Sequence, residues 1–475
     1  MLGGSLFILA ALGSGLAATL FGLVGAICAG LALLIVVALA KPHWLVIALP
    51  LIIAAAALTP DTSGLAARIY PGIVAIAVLS LIGGQLALRD WPTFRKASSK
   101  TWPLWVLAGV SMASALYAFA LPDPGVLYAF PASGVGHGAT VVIESFLVLA
   151  TAALTPTVAI VVRDRREVRL ALYSCLLATT ALIIMASVSF AQGTGVSVVA
   201  GTLRPTAGQL DGAALGVVVA LAWPAGLWLC LSTGAPASRT LRVCVLGILL
   251  LGTVLSFSRV TWVAVPIEVL LFLTLTSPRL AWTGVVLLLT IGAAAAVQLI
   301  DIDGVAKYFD PHRAYGFERL RIWGDAWNIY LTHPILGVGA GNFQFYDRSL
   351  NVDIVGAGVS HNQFLTTLAE SGPLGLIALL LVPAYIVKWL LAQLGSSGSA
   401  EGRLLAVVGL SATLGMVVFS FAGDTFAVSA AAGGGSLRLS LYSFYWLLIG
   451  LIVAQHRITS AAPGDPGGRA VRRIN

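Results

Sequence analysis

The residues of this chain that could do chemistry lie in a few polar stretches between apolar runs. A lone imidazole, His361, opens the stretch SHNQFLTTLAESGPLGL at 360–376, where a predicted helix begins just before an apolar run. Three arginines, Arg204, Arg259 and Arg438, stand at the ends of other apolar runs. Guanidinium groups bind phosphate oxygens through paired hydrogen bonds, and the N-terminus of a helix attracts anions. These residues therefore predict a binding site for an anionic group, beside an imidazole that can exchange a proton near neutral pH.

Each of these residues also has a structural interpretation. An arginine at a membrane boundary can reach lipid phosphates or stabilise the C-terminus of a helix. A lone histidine in a loop is more often solvated, or a helix cap, than catalytic. Both interpretations remain open for any one arginine, but three arginines on one predicted face favour a shared site. Asn362, directly after His361, is a secondary candidate for that site.

The composition places the chain in a membrane. Of its 475 residues, 59% are hydrophobic and only 10% are charged, and the mean hydropathy is +0.96, whereas a soluble domain carries about a quarter charged residues. The net charge of +8 is divided among short loops rather than gathered in one patch, so we expect no nucleic-acid partner. The four cysteines lie in or beside apolar runs without a Cys-x-x-Cys pair, which argues against a disulfide framework and a zinc site.

Apolar runs long enough to cross a bilayer recur along the whole chain, so the predicted fold class is an all-α, polytopic transmembrane helix bundle. There are about fourteen such runs, or twelve if the first two form one tilted helix and a re-entrant piece. Their approximate bounds are 3–20, 21–40, 44–59, 71–88, 103–121, 138–162, 168–190, 210–231, 241–257, 260–276, 280–300, 373–391, 403–421 and 436–454. Basic residues cluster in connections that all fall on one side if the spans alternate, namely 89–100, 163–169, 238–242, 279, 388–403 and the C-terminal tail. By the positive-inside rule, that side faces the cytoplasm.

The predicted organisation has four parts. Transmembrane helices occupy 1–300, a large outward-facing loop occupies 301–362, and the C-terminal transmembrane helices occupy 363–456. The Gly- and Pro-rich tail at 457–475 is predicted to be a disordered cytoplasmic segment. The first apolar run has no basic segment before it and leads into more membrane, which argues against a cleavable signal.

The large outward loop contains a predicted amphipathic helix in the stretch GFERLRIWGDAWNIYLTHP at 316–334. Large apolar side chains recur along one side of this helix, at Leu320, Trp323, Trp327, Tyr330 and Leu331. The helix is predicted to lie flat in the outer interface and to roof the bundle, in contact with membrane lipids, although it could equally serve only to cover the protein. Arg319, at its start, is a candidate ligand contact, and Arg321 is a secondary one.

Acidic residues suggest two further functions. Asp301 and Asp303 form an Asp-x-Asp pair of the kind that can hold a divalent cation. No other set of ligands converges with this pair, so we predict no metal and no other cofactor. Glu268 lies in the middle of a span, where a charge is costly, and this position indicates a paired acid, a protonated acid or a transport route.

Several segments together resemble the signature region of the bacterial O-antigen ligase and polymerase superfamily. The family's ligase motif is His, then Asn, Ser or Gln, nine residues, and Gly-x-x-Gly. Here His361 and Asn362 are followed by 363–371 and then by Gly372-Pro-Leu-Gly375. The preceding stretch RLRIWGDAWNIYLTHPILGVGAGNF belongs to the same resemblance. SFSRVTW is similar to the family's Ser-x-Ser-Arg turn.

The resemblance extends over about 204–376, and its upstream end departs from the family pattern. RPTAGQLDGAALG resembles the family's arginine segment before a span, but Gln209-Leu-Asp211 stands where the family is usually rich in Asn. The roles of Gln209 and Asp211 therefore do not follow from the family.

The resemblance implies a GT-C-like fold and a metal-independent, inverting glycosyl transfer at the outer leaflet of the bacterial inner membrane. The implied donor is a glycan on undecaprenyl pyrophosphate, and the active site would face the periplasm. A ligase would use a lipid A-core sugar as acceptor, a polymerase would use a second lipid-linked glycan, and some relatives use a protein hydroxyl. Arg204, Arg259 and Arg319 would bind the donor pyrophosphate, and His361 would act as the catalytic base. The alternatives from other classes are a lipid-linked glycan transporter or flippase, and a scaffold for polysaccharide assembly.

Overall fold

The computed structural model describes residues 42–57, 90–121, 137–194, 196–199, 202–206, 212–232, 238–277, 279, 281–282, 284–285, 314–350, 360–396, 399–421, 423 and 435–461. The helices in this part of the chain are α1 Pro42–Ala57, α2 Trp91–Ser98, α3 Trp102–Ala120, α4 His137–Val161, α5 Arg165–Ala191, α6 Gly212–Leu231, α7 Arg239–Leu255, α8 Arg259–Thr276, α9 Ala314–Thr332, α10 Phe343–Leu350, α11 Gln363–Ser396, α12 Ala400–Ser420 and α13 Gly435–Ala461. Two strands, β1 Val196–Val199 and β2 Thr202–Pro205, lie between α5 and α6. The Asp301–Asp303 pair, Gln209, Asp211 and the tail beyond 461 lie outside the described residues.

Six of these helices are long and apolar enough to cross a membrane, namely α3, α5, α6, α8, α11 and α12. Two shorter apolar helices, Pro42–Ala54 and Leu149–Val161, lie within α1 and α4. The helices pack side by side, which confirms the predicted polytopic helix bundle. The predicted total of twelve to fourteen spans includes the runs at 3–20, 21–40 and 71–88, which lie outside the described residues, so that number stays a prediction.

Helix α6 forms the centre of the bundle, and 83% of its membrane-spanning window is buried. Its glycines lie where neighbouring helices approach most closely: Gly216 lies against Thr261 of α8, and Gly226 lies against Leu249 of α7. Lipid chains provide no hydrophobic drive for helices to associate, so small residues that permit close packing hold such bundles together. In this way α6 fixes the relative positions of α7 and α8, the two helices that flank the predicted Ser-x-Ser-Arg turn.

The helices alternate in direction, so their termini gather at two ends of the bundle. At one end, Arg169 of α5 pairs with Glu401 of α12 at 2.7 Å, and Arg457 of α13 donates a hydrogen bond of 2.6 Å to the carbonyl oxygen of Val162 after α4. We call this the basic end, because it includes the Lys- and Arg-rich connections around these residues. Their common location agrees with the predicted clustering of basic connections on one side. The opposite end carries the N-termini of α8 and α11 and the C-terminus of α12, and we call it the His361 end.

The two strands form a short antiparallel hairpin between α5 and α6. Its register pairs Val196 with Pro205 and Ser197 with Arg204. The hairpin packs against α5, the helix that precedes it. It adds a small local element to the predicted all-helical architecture without changing the class of the fold.

Candidate active site

The turn that presents His361 is built by its two neighbours. The Ser360 hydroxyl accepts a 3.0 Å hydrogen bond from the Asn362 amide. The Asn362 side-chain oxygen accepts hydrogen bonds from the amides of Phe364 at 3.1 Å and Leu365 at 3.2 Å, so Asn362 is the N-cap of α11. Between them, half-buried His361 has a left-handed backbone with φ 53°. Histidine is one of the few side chains that adopt this conformation with some frequency.

The turn before Arg259 has the same construction. The Ser256 hydroxyl accepts a 3.3 Å hydrogen bond from the Ser258 amide, and the Ser258 hydroxyl accepts one of 3.4 Å from the amide of Thr261. Phe257, between the two serines, has φ 43°. Ser258 is therefore the N-cap of α8, and Arg259 is the first residue of this helix, with its side chain exposed. The two serines of the Ser-x-Ser-Arg pattern thus shape the backbone that carries the arginine.

These two turns lie at the same end of the bundle. The ring of Phe364, in the first turn of α11, contacts the ring of Phe421 at the end of α12, with centroids 4.8 Å apart. Further along, Gly415 of α12 lies directly against the carboxylate of Glu268 in α8. At the rise of an α-helix, Arg259 lies about 13 Å along α8 from Glu268, and Phe421 lies about 9 Å along α12 from Gly415. Arg259 is therefore offset by only about 5 Å along the bundle axis from the aromatic pair beside the His361 turn.

Two further predicted arginines are placed by their backbones. Arg204 lies in β2, in the hairpin that packs against α5. The ring of Phe190, at the end of α5, lies 6.2 Å from that of Phe257 between centroids, which puts this end of α5 beside the Arg259 turn. Arg438 lies in the first turn of α13. The side chains of Arg204 and Arg438 are outside the described part of the structure.

Helix α9 approaches the His361 turn directly. The indole nitrogen of Trp323 donates a 3.1 Å hydrogen bond to the carbonyl oxygen of Ser360. Arg319 lies one helical turn before Trp323, and both Arg319 and Arg321 have exposed side chains. The helix thus joins these two arginines to the segment that carries His361.

The face of α9 that packs against α11 consists of aliphatic side chains. Residues Ile322, Ala326 and Ile329 are buried in a small core with α11, whereas Trp327 is 49% exposed and Leu331 is 55% exposed. The small side chain of Ala326 permits a close approach between α9 and α11. The predicted helix is present, and the placement of its aromatic side in the outer interface stays a prediction.

Glu268 is not close to the two turns. It is buried between α8 and α12 with 1% of its surface exposed, about 13 Å along α8 from Arg259. Neither carboxylate oxygen has a hydrogen-bond partner within the described part of the chain. The residue lies in a tight helix contact, and a transport route would instead require it to face an open cavity.

The glycine-rich segment after α9 is attached to α11 by backbone hydrogen bonds. The amide of Val338 donates to the carbonyl oxygen of Ala369 at 2.9 Å, and that of Gly339 donates to the carbonyl oxygen of Glu370 at 2.8 Å. Two residues after Glu370, Gly372 has φ 64° and interrupts the regular conformation of α11. A Cβ atom there would collide with the carbonyl oxygen of Ile335. Glycine is therefore required at this position by both conformation and space.

Several polar residues of this region were not singled out by the sequence. The Glu370 carboxylate accepts a 3.2 Å hydrogen bond from the amide of Phe343, which holds the start of α10. The Ser114 hydroxyl of α3 lies 2.6 Å from the carbonyl oxygen of Glu370. Polar residues within an apolar helix are the available signal for such contacts, but their partners are more than twenty residues away in the chain.

This geometry coincides with a known family domain. Residues 244–380 match the family model described as O-antigen ligase. This segment, 137 of the 475 residues, is similar to the O-antigen ligase family. The match confirms the resemblance to the O-antigen ligase and polymerase superfamily, and it contains the Arg259 turn, α9, the His361 turn and the Gly372 kink. None of the curated proteins matches the chain.

The structure gives a physical reason for each fixed position of the ligase motif. Asn362, the residue after the histidine, caps α11 with its side-chain oxygen. The nine following residues form the first turns of that helix, and Gly372 then takes the left-handed conformation. Gly375 lies in close contact with Ser371. His361 occupies the left-handed position directly before this cap.

The domain supports glycosyl transfer of the ligase or polymerase type, with a lipid-linked glycan and an acceptor as the general classes of substrate. Together with the six apolar helices, it describes a multi-pass membrane protein.

Proposed function

We propose that this protein transfers a glycan from undecaprenyl pyrophosphate to a sugar hydroxyl of a lipid A-core acceptor, at the periplasmic face of the inner membrane. The observation that carries the proposal is the location of His361 and Arg259 on two similarly built turns at one end of the bundle, inside the O-antigen ligase domain. This end lies opposite the basic end, so the positive-inside rule supports an outward orientation.

The two helix N-termini and the arginines suit a pyrophosphate leaving group. When the bond between the sugar and the pyrophosphate breaks, negative charge develops on the departing oxygen. Arg259 and Arg204 are proposed to stabilise that charge with permanently charged, bidentate donors. Because pyrophosphate leaves as an anion, this step requires no proton from the protein.

The acceptor hydroxyl does require a proton acceptor. In the proposed step, the acceptor oxygen attacks the anomeric carbon while the bond to the pyrophosphate oxygen breaks on the opposite face, which inverts the configuration. The hydroxyl proton passes to the neutral imidazole of His361. The left-handed backbone of His361 holds it between Ser360 and Asn362, whose side chains form the hydrogen bonds of the turn.

The remaining arginines are assigned supporting roles. Arg319 is proposed as a further contact to the donor pyrophosphate, with Arg321 and Arg438 as additional candidates. Arg319 and Arg321 are exposed on α9, the helix that contacts the His361 turn through Trp323. Asn362 is assigned a structural role, because its side-chain oxygen accepts two backbone hydrogen bonds.

The alternative within the same family is an O-antigen or exopolysaccharide polymerase that joins lipid-linked repeat units. The family match supports both activities equally, because both bind the same class of donor. The complete His-to-Gly motif favours the ligase.

The deciding experiment supplies the purified protein with a lipid-linked glycan and, in separate reactions, with lipid A-core or with no second acceptor. A ligase yields lipid A-core that carries the glycan. Longer glycans on the lipid carrier, formed without lipid A-core, would instead assign the polymerase activity. Absence of any transfer, under conditions in which the protein is folded and the donor is intact, would refute both.

A further inference from the structure

A cavity lies at the basic end of the bundle, far from the Arg259 and His361 turns. Its volume is about 200 Å³, it is partly open, and it is lined by the C-terminal parts of α11 and α13 and by the start of α12. Apolar side chains, including Leu405 and Ile452, form part of its wall. The polar side chains that line it are Gln393, Ser396, Gln455, His456, Thr459 and Ser460.

The hydrogen bonding of this lining is incomplete at Gln455. This residue is 2% exposed, and its amide nitrogen donates to the hydroxyl of Thr459 at 3.3 Å. Its amide oxygen is buried and has no hydrogen-bond partner in the part of the chain that the structure describes. A buried acceptor without a donor costs free energy, so an occupant that brings an O–H or N–H donor would be stabilised here.

Two neighbouring hydroxyl groups are further hydrogen-bond acceptors in the cavity wall. The Thr459 hydroxyl donates to the carbonyl oxygen of Gln455 at 2.8 Å, and the Ser396 hydroxyl donates to that of Ala392 at 2.8 Å. Because each hydroxyl proton is already donated within a helix, the Thr459 and Ser396 oxygens can only accept hydrogen bonds from an occupant of the cavity. An occupant that suits this wall has hydroxyl groups of its own.

The electrostatic surroundings of the cavity are positive. Lys96 and Lys100 both act on the imidazole of His456 through their charge. Tyr385 of α11 donates a 3.1 Å hydrogen bond to the carbonyl oxygen of Ser99, which holds the segment with these lysines against the helix that lines the cavity. A positive field favours an anionic occupant and disfavours an ammonium group.

We propose that this cavity binds the phosphoglycerol headgroup of an anionic phospholipid. The glycerol hydroxyls would donate to the amide oxygen of Gln455 and to the neighbouring hydroxyl oxygens. The phosphate would accept hydrogen bonds from the His456 ring and the Gln393 amide, in the positive field of the basic end. A lipid is favoured over a soluble ligand because the wall also contains Leu405 and Ile452 and the cavity lies at the end of membrane-spanning helices.

The test measures which lipids the full-length protein retains. The protein is reconstituted in bilayers of equal parts phosphatidylglycerol and phosphatidylethanolamine, and bound lipids are counted by native mass spectrometry. We expect selective retention of phosphatidylglycerol. Gln455→Leu keeps the side-chain volume and removes the unpaired acceptor, and it should lower that retention roughly fivefold, the effect of one lost hydrogen bond. Arg403→Gln, at an exposed position of the basic end outside the cavity lining, should leave retention within about twofold.

A second variant protects the test against misfolding of Gln455→Leu. Ser460 is exposed near the end of α13 and lines the cavity, so Ser460→Trp should fill the cavity while leaving the core unchanged. Unchanged phosphatidylglycerol retention in Ser460→Trp would overturn the proposal. Equal loss in Arg403→Gln would do so as well, because it would indicate diffuse attraction to the surface. Displacement of the lipid by millimolar inorganic phosphate would reassign the cavity to free phosphate, and equal retention of phosphatidylethanolamine would remove the headgroup preference.

Discussion

The two turns at the His361 end use one backbone design to present two different side chains. In Ser256–Ser258 and in Ser360–Asn362, a serine hydroxyl accepts the amide two residues later, the middle residue is left-handed, and the third residue caps a helix. These middle residues, Phe257 and His361, are the two non-glycine residues with positive φ in the described part of the chain. In the first turn, the proposed functional residue, Arg259, follows the helix cap. In the second turn, the proposed functional residue, His361, occupies the left-handed position before the cap.

The hydrogen bonds identify the side chains that hold the backbone of each turn. Ser256, Ser258, Ser360 and Asn362 each use a side-chain oxygen in a local hydrogen bond. Phe257 packs between other aromatic rings. The proposed catalytic groups are thus the two side chains that the turn design does not itself require.

The largest effect is expected from changing His361, the left-handed residue of the second turn. His361→Asn removes the imidazole but keeps a residue that tolerates left-handed φ, so the protein should fold and insert normally. Transfer to the acceptor should fall by about 10²- to 10⁴-fold, the usual contribution of a general base. The measurement is the initial rate of glycan transfer at saturating donor.

The matched variant in the other turn is Phe257→Asn. It also keeps a tolerant residue and removes an aromatic ring, but that ring has no proposed chemical role, so most of the activity should remain. If His361→Asn retains the wild-type rate, or if both variants lose activity equally, His361 is not the base and the proposed distinction between the turns is wrong.

A smaller but still large effect is expected at Arg259. Arg259→Lys keeps the charge and removes the planar pair of donors, so transfer should fall by about 10- to 100-fold if the guanidinium contacts the pyrophosphate in a bidentate manner. Arg403→Lys, an exposed arginine at the opposite end, is the control and should change the rate by less than about twofold. Similar mild effects in both variants would argue against bidentate contact.

Parts of this site could be predicted from local sequence, and other parts depend on contacts made by distant residues. The start of α11 could be predicted, because Asn362 is a strong N-cap residue before an apolar run. The hairpin around Arg204 was not predicted, since two strands of four residues without alternation carry little signal. The face of α9 that packs against α11 was not predicted, because its partner surface on α11 could not be seen in the sequence. The contact of Ser114 with Glu370 joins residues 256 positions apart, and no local pattern reports it.

The third prediction compares the two helix caps. Asn362 accepts two amide hydrogen bonds at 3.1 and 3.2 Å, whereas Ser258 accepts one at 3.4 Å. Asn362→Ala should therefore lower the free energy of unfolding by about 1–2 kcal/mol, and Ser258→Ala by about 0.5–1 kcal/mol. Asn362→Ser restores a capping oxygen and should recover both stability and transfer. The measurement is unfolding by SDS titration in mixed micelles, alongside the transfer assay, and a stable but inactive Asn362→Ser would instead give Asn362 a direct role in the reaction.

The smallest effects are expected from changing Ser256 and Ser360, the first residues of the two turns. Both serines are fully buried. Among the described residues, the Ser256 hydroxyl bonds to nearby backbone atoms. The Ser360 hydroxyl also bonds to the hydroxyl of Thr366, six residues later in α11. Each change to alanine should cost about 1 kcal/mol of unfolding free energy, with the greater loss at Ser360. A double-mutant cycle between Ser360 and Thr366 should give a coupling of about 0.5–1 kcal/mol, and the same cycle between Ser256 and Thr366 should be additive. Coupling in the second cycle would mean that the turns are not independent units, and the activity of either turn could then not be assigned to its own side chain.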